Sequence, residues 1–297
     1  MNTTQVSLEN KPMCLYVSMC LCGEKKTKMM LLIIFSFVFQ FSKASIVDTV
    51  LIYSNAMHKE FKCVVIKPDA YKKKSNQFPV VYLLHGYGGD FSNWIKKVNA
   101  VKDYADSYQL LIICPDGGAS SWYFDSPVDS TMKYETYIGK EVPEYIDAHY
   151  HTIKNRAARA ITGLSMGGHG AMFLAFRHAN FFGACGSMSG LMDLGSTKNK
   201  YELMKRIGDT IQHAAYWKNY SVINVIENHS DSLAIIFDCG MDDPFFTDNN
   251  RLHEKMLKLK IPHDYIERPG NHNWDYWANS LGYQLMFFRK YFDRLRG

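Results

Sequence analysis

Residues 158–168 read Ala158-Arg159-Ala160-Ile161-Thr162-Gly163-Leu164-Ser165-Met166-Gly167-Gly168, and this stretch decides the fold. A short strand ends at Thr162, a glycine-rich turn carries one serine, and a helical pattern runs on from Gly168 to His178. Glycines two residues either side of the serine permit a turn so sharp that side chains there would meet neighbouring backbone. A strand before and a helix after make this a nucleophile elbow rather than an ordinary glycine-rich turn. The serine hydroxyl then sits at the tip of the turn, above a helix N-terminus that favours developing negative charge.

Outward from the elbow, short β-branched runs alternate with amphipathic segments. Strands are predicted at Val47–Tyr53, Phe61–Ile66, Val80–Leu84, Leu110–Cys114, Ala158–Thr162, Ala184–Met188, Leu233–Asp238 and Asp264–Glu267. Helices are predicted near Trp94–Tyr108, Thr136–Tyr150, Gly168–His178, Asn249–Leu259 and Trp274–Leu295. Such alternation implies a mainly parallel sheet covered on both faces, with the first two strands as an antiparallel edge hairpin. From 191 to 231 the pattern breaks into a polar, irregular stretch, read as a helical insertion over the sheet that could cap a substrate site.

An acyl-transfer site needs two backbone N–H groups aimed at the oxyanion. Met166 follows the serine and supplies one. Leu83-Leu84-His85-Gly86-Tyr87-Gly88-Gly89 ends an earlier strand and offers Tyr87 for the other, with His85 read as ordering the loop. The base should follow the last strand, and Pro269-Gly270-Asn271-His272-Asn273-Trp274 places His272 there; His263 lies at the start of that strand, at the wrong end of the sheet. The acid should follow the strand before it. Asp238 still belongs to that strand and is read as a brace, leaving Asp243 ahead of Asp242. The spacing of these carboxylates does not match a calcium loop, so no metal is expected.

Composition narrows the classes further. The chain has 297 residues, 47% of them apolar and 21% charged, within the range of one α/β domain. Of the net charge of +5, residues 1–44 carry five lysines against two glutamates, which leaves the remainder at +2 without clustering. A nucleic-acid partner is therefore not expected. Glu24 to Lys28 forms a basic flank, and Met29 to Phe41 is an apolar run too short for a comfortable membrane span. Residues 1–44 are accordingly read as a signal peptide cleaved after Ala44, with an uncleaved membrane anchor as the alternative and Met13 or Met19 as alternative starts, and 45–297 as one exported catalytic domain. Four cysteines follow that segment (Cys63, Cys114, Cys185 and Cys239), in no metal-ligand spacing, and are read as buried thiols.

The four motifs together resemble the esterase D-like group, which includes S-formylglutathione hydrolases, tributyrin-type esterases, feruloyl and acetyl-xylan esterases and mycolyltransferases. The resemblance runs from about Phe61 to the C-terminus. It implies the α/β-hydrolase fold and a triad of Ser165, Asp243 and His272, with backbone donors at Tyr87 and Met166 and no cofactor. Asp116-Gly117-Gly118 and Ser121 to Pro127 also look like a family segment at the pocket mouth, so Trp122, Tyr123 and Trp274 are expected to bind substrate, beside Tyr276 and Trp277. The expected partner is a small-molecule or carbohydrate ester, hydrolysed through an acyl-enzyme. The alternatives are a formylglutathione-type thioesterase, an acyltransferase using the same triad, and a carbohydrate-binding protein without chemistry.

Overall fold

The computed structural model describes residues 45–228 and 233–294, so the signal-peptide segment and the end of the last helix at Leu295 lie outside the described residues. Eight strands form one sheet: β1 (Ile46–Ser54), β2 (Lys59–Lys67), β3 (Val80–Leu84), β4 (Leu111–Pro115), β5 (Arg159–Gly163), β6 (Ala184–Met188), β7 (Ala234–Gly240) and β8 (Asp264–Arg268). Their spatial order is β1-β2-β4-β3-β5-β6-β7-β8. β1 and β2 form the antiparallel hairpin, from Ile46 opposite Lys67 to Ser54 opposite Lys59, and β2 also meets β4 antiparallel. All pairings from β4 through β8 are parallel.

Side-chain alternation along the central strands divides the interior into two layers. Val80, Tyr82 and Leu84 of β3 face one hydrophobic cluster, Val81 and Leu83 the other, and all five are fully buried. Beneath the second face lie α1 (Asn93–Lys97) and α2 (Val101–Tyr108), which the periodicity reads as one helix. The chain leaves helical geometry at Val98 (φ −126°, ψ 89°), and this break lets both Val98 and Val101 bury. The first face is covered by α3 (Tyr134–Thr136), a π-type segment (Tyr137–Glu141), α4 (Val142–His149) and α5 (Met166–Arg177). In the irregular stretch, α6 (Leu203–Ile207), α7 (Ala214–Tyr220) and α8 (Val222–Val225) add Leu203, Ile207, Trp217 and Val222 to that cluster. α9 (Phe246–Lys258) joins the first face, and α10 (Trp274–Asp293) packs on the second with Leu281, Leu285, Phe288 and Phe292. Asn273 caps α10 by accepting the Tyr276 N–H at 3.0 Å.

Chain order reverses at β3, whose successor β4 lies on one side and β5 on the other. The carboxyl ends of β3 and β5 therefore frame the crevice where doubly wound sheets bind ligands. The loop after Leu84 and the turn after Gly163 both open there.

α5 is buried along its length from Met166 to Phe176, including His169. The His169 imidazole donates from Nε2 to the Tyr220 carbonyl at 2.8 Å and stacks on Phe173, and its burial pushes the pKa down to about 4. Below about pH 6.5 the unfolded chain takes up a proton that the native ring refuses until about pH 4. Across that window this one residue withdraws on the order of 3 kcal/mol of stability as pH falls. His169→Gln keeps a donor but does not titrate, so its melting temperature should drop less than the wild type's between pH 6.5 and 4.5. Parallel thermal-melting profiles for the two proteins would refute the assignment.

Candidate active site

The elbow between β5 and α5 is built from contacts that leave no latitude. Ser165 stands at φ 53°, ψ −118°, its N–H bonded to the Met188 carbonyl of β6 at 2.9 Å and its carbonyl accepting the His169 N–H at 3.0 Å. A side chain at Gly167 would meet the His85 carbonyl oxygen at 2.5 Å, so the β3 loop and the first turn of α5 touch only because that residue is glycine. Ser165 itself is largely buried, with its hydroxyl turned toward His272.

His272 lies on the loop between β8 and α10. Its Nδ1–H donates to Asp243 Oδ2 at 2.8 Å, and its Nε2 accepts from Ser165 Oγ at 2.9 Å. Phe245 and Trp277 meet the imidazole edge-on, at 5.0 and 4.8 Å between centroids, and fix its plane. The Asp243 side chain is fully buried and its Oδ1 accepts the Phe245 N–H at 2.8 Å. Asp242 is exposed, with its N–H on the Gly270 carbonyl, and takes no part in this chain. His263 is elsewhere: it accepts from His253 Nδ1 at 2.8 Å and bonds the Ile261 carbonyl. The structure therefore brings Ser165, His272 and Asp243 into one hydrogen-bonded line.

Of the two residues expected to offer backbone N–H groups, Met166 follows Ser165 in the chain and Tyr87 lines the same cleft. Met166 is the first residue of α5, so its N–H is among the four that no helical carbonyl can reach. Tyr87 is on the loop after β3, shaped by Gly88 N–H to the Ala119 carbonyl at 2.7 Å and Gly89 N–H to the Gly86 carbonyl at 3.0 Å. Beneath the loop His85 is fully buried; its Nε2 accepts the Gly117 N–H at 2.8 Å, which leaves Nδ1 to donate to the Gly86 carbonyl at 2.9 Å. Burial lowers its pKa and holds it neutral. It is a strut.

A cleft of about 520 Å³ opens over Ser165 and His272, lined by Gly86 to Gly89, Asn93, Leu164, Tyr201, Asn273, Trp274 and Trp277. Trp274 is thus in the wall, edge-on to both Trp94 and Trp277. Trp122 and Tyr123, expected beside it, are not; their relative exposures are 1% and 0%. The Tyr123 ring fills a slot against Gly170 of α5, where any added side chain would lie 2.4 Å from it, and its hydroxyl donates to the His85 carbonyl at 2.9 Å. The Trp122 indole meets His169 edge-on and donates to the Tyr201 carbonyl at 3.1 Å. Neither ring is part of the cleft lining. Tyr276 is likewise buried outside the cleft lining.

Tyr201 and Asn93 are cleft residues that sequence reasoning missed, and Tyr201 is the less legible of the two. It comes from the irregular stretch, where no periodicity marks one residue over another. Tyr201 and Glu202 both take positive φ, at 57° and 56°, facing Trp122 and Tyr123 at 55° and 63°. The two strained pairs are joined by the Trp122–Tyr201 bond and by Ser120 Oγ donating to Glu202 Oε2 at 2.5 Å, with Arg206 on both partners. This holds the Tyr201 ring edge-on to Tyr87 at 5.5 Å.

Such an arrangement can activate a serine hydroxyl, stabilise an oxyanion and protonate a leaving group. Among the described residues, no group of three or more His, Cys, Asp or Glu side chains is placed to hold a metal ion.

Sequence and structural comparisons agree on the relatives. The family described as "Putative esterase" matches residues 54–288. Esterase Rv1288 of Mycobacterium tuberculosis is 27% identical over 235 residues, covering 70% of this chain and 51% of that protein, so the chain spans about half the length of this curated relative. The diacylglycerol acyltransferase/mycolyltransferase Ag85A of Mycobacterium leprae is 30% identical over 241 residues, covering 68% of this chain and 72% of that one. A solved ferulic acid esterase superposes with a TM-score of 0.73 at 28% identity, over 84% of this chain and 99% of its own. The sheet order and its flanking helices are those of the α/β-hydrolase fold.

Proposed function

The chain belongs to the esterase family, and from that premise we propose that it hydrolyses short-chain or carbohydrate-linked carboxylic esters through an acyl-enzyme on Ser165. The observation that carries this reading is the unbroken line from Asp243 through His272 to Ser165 Oγ at the foot of an open cleft. Ser165 Oγ attacks the ester carbonyl as its proton passes to His272 Nε2, and the buried Asp243 carboxylate steadies the imidazolium that forms. The N–H groups of Met166 and Tyr87 take the oxyanion. His272 then protonates the departing alcohol. Water repeats the sequence in reverse roles and releases the acid.

Trp274, Trp277, Tyr201 and Tyr87 give the cleft aromatic walls, and Asn93 and Asn273 give it amide groups. That mixture supports a sugar-bearing or aryl ester over a glutathione thioester, whose two carboxylates would ask for cationic partners; among the described residues, no lysine or arginine lines the cleft. The apolar Met29 to Phe41 run behind its basic flank supports action outside the cytosol. The similarity to Ag85A favours one second reading, transfer of the acyl group to an alcohol in place of water.

The deciding experiment assays residues 45–297 with acetylated xylan, a feruloylated sugar and S-formylglutathione, with and without added sugar acceptor. Free acid from the carbohydrate esters at more than tenfold the kcat/KM for the thioester is the expected result. Preference for the thioester would overturn the substrate class. Acylated acceptor as the main product would establish transfer instead.

A further inference from the structure

Under the catalytic loops the sheet carries a buried polar chain that the proposed chemistry does not touch. Asp238, on β7, is completely buried. Ser280 Oγ of α10 donates to its Oδ1 at 2.5 Å, Gln284 Nε2 donates to its Oδ2 at 2.7 Å, and Arg268 at the end of β8 reaches Oδ1 at 3.3 Å. Gln284, also fully buried, uses the rest of its amide: Nε2 donates to the Ser187 carbonyl of β6 at 2.8 Å, and Oε1 accepts from Thr162 Oγ1 of β5. Ser280 Oγ also accepts from Arg268, so two side chains of α10 bind four consecutive parallel strands, β5 to β8, just below their carboxyl ends.

Each of those ends leads within a few residues to the site. Thr162 stands three residues before Ser165, Asp238 five before Asp243, and Arg268 four before His272. Ser187 precedes Met188, whose carbonyl holds the Ser165 N–H. The same helix carries Trp277 against the His272 ring. A core that needed only stability would be as well served by apolar side chains of this size, because desolvating a carboxylate and an amide offsets most of what their bonds return. Directional bonds do what apolar packing does not: they fix the relative position of strand ends along the strand axis.

We propose that Gln284, with Asp238, is a positioning residue that sets the mutual register of the nucleophile, acid and base loops, acting through Thr162, Ser187 and Arg268. This rests on the reading of Ser165 as the nucleophile. Loss of the tie displaces Ser165 from His272 by a fraction of an ångström while leaving the cleft wall intact. Errors of that order in reacting geometry cost about 10- to 100-fold in rate.

The test compares wild type with Gln284→Met, Thr162→Val and Thr162→Ser, each well below its own melting temperature. Three readouts are taken: kcat, KM for p-nitrophenyl acetate, and the rate of fluorophosphonate labelling of Ser165. Gln284→Met and Thr162→Val should lose about 10- to 100-fold in kcat and in labelling rate with KM within twofold, and Thr162→Ser, which keeps the hydroxyl, should recover most of both. Thr162→Val carries the test alone where Gln284→Met does not fold. Lower melting temperatures with unchanged kcat and labelling would show a merely structural network and overturn the proposal. A wild type with neither turnover nor labelling would instead overturn the esterase reading, and this one with it.

Discussion

Ser165→Ala is expected to lower kcat for p-nitrophenyl acetate by on the order of 10⁶-fold while leaving the protein folded. The hydroxyl is the atom that His272 Nε2 faces at 2.9 Å, and among the described residues the other hydroxyls that line the cleft are the phenols of Tyr87 and Tyr201. Neither phenol is bonded to His272. The residual rate over water would come from the Met166 and Tyr87 amides and from binding. KM should change little, because the alanine removes a reacting atom and none of the walls. The measurement is steady-state hydrolysis beside fluorophosphonate labelling, which should mark the wild type and not the variant. Activity within tenfold of wild type would remove Ser165 from the mechanism.

Asp243→Asn is expected to cost about 10⁴-fold in kcat, and Asp242→Asn less than twofold. Asp243 is buried and receives two N–H groups, from His272 and from the Phe245 backbone, so it is held as an acceptor. An asparagine there presents an amide that can turn its NH₂ toward Nδ1. That selects the tautomer with the proton on Nε2, which cannot accept from the serine. Asp242 points to solvent, and losing its charge alters neither tautomer nor geometry. Measuring both variants under one set of conditions decides between neighbours that the sequence alone leaves open. The opposite ranking would move the acid to Asp242.

The sheet was legible because its strands are short, β-branched and bounded by turn residues. Val80–Leu84 and Ala184–Met188 occur as the pattern predicts, and the other six strands differ by one or two residues at their ends. The placement of Ser165, His272 and Asp243 together was legible because the fold sets these loops in a fixed order after particular strands. Trp122 and Tyr123 were misplaced for a physical reason. An aromatic pair on a loop reads the same whether it faces a cleft or a helix, and the deciding feature is a glycine 47 residues beyond Tyr123, Gly170. Tyr201 was illegible because two consecutive left-handed residues position it, and nothing in Lys200-Tyr201-Glu202 announces them. The Asp238 tie was half legible: its place in the strand marked it as a brace, but its partners Ser280 and Gln284 read only as the polar interruptions of a long amphipathic helix.

The backbone at Ser165 has a consequence for stability as well as for mechanism. At φ 53° a residue with a side chain is held about 1–3 kcal/mol above an unstrained conformation, a cost that glycine does not bear. Stability and turnover therefore pull this position in opposite directions. Ser165→Gly would relieve that strain and, in the same step, remove the attacking hydroxyl of the proposed reaction. On the proposed reading, serine stands at this angle for its chemistry and not for the fold.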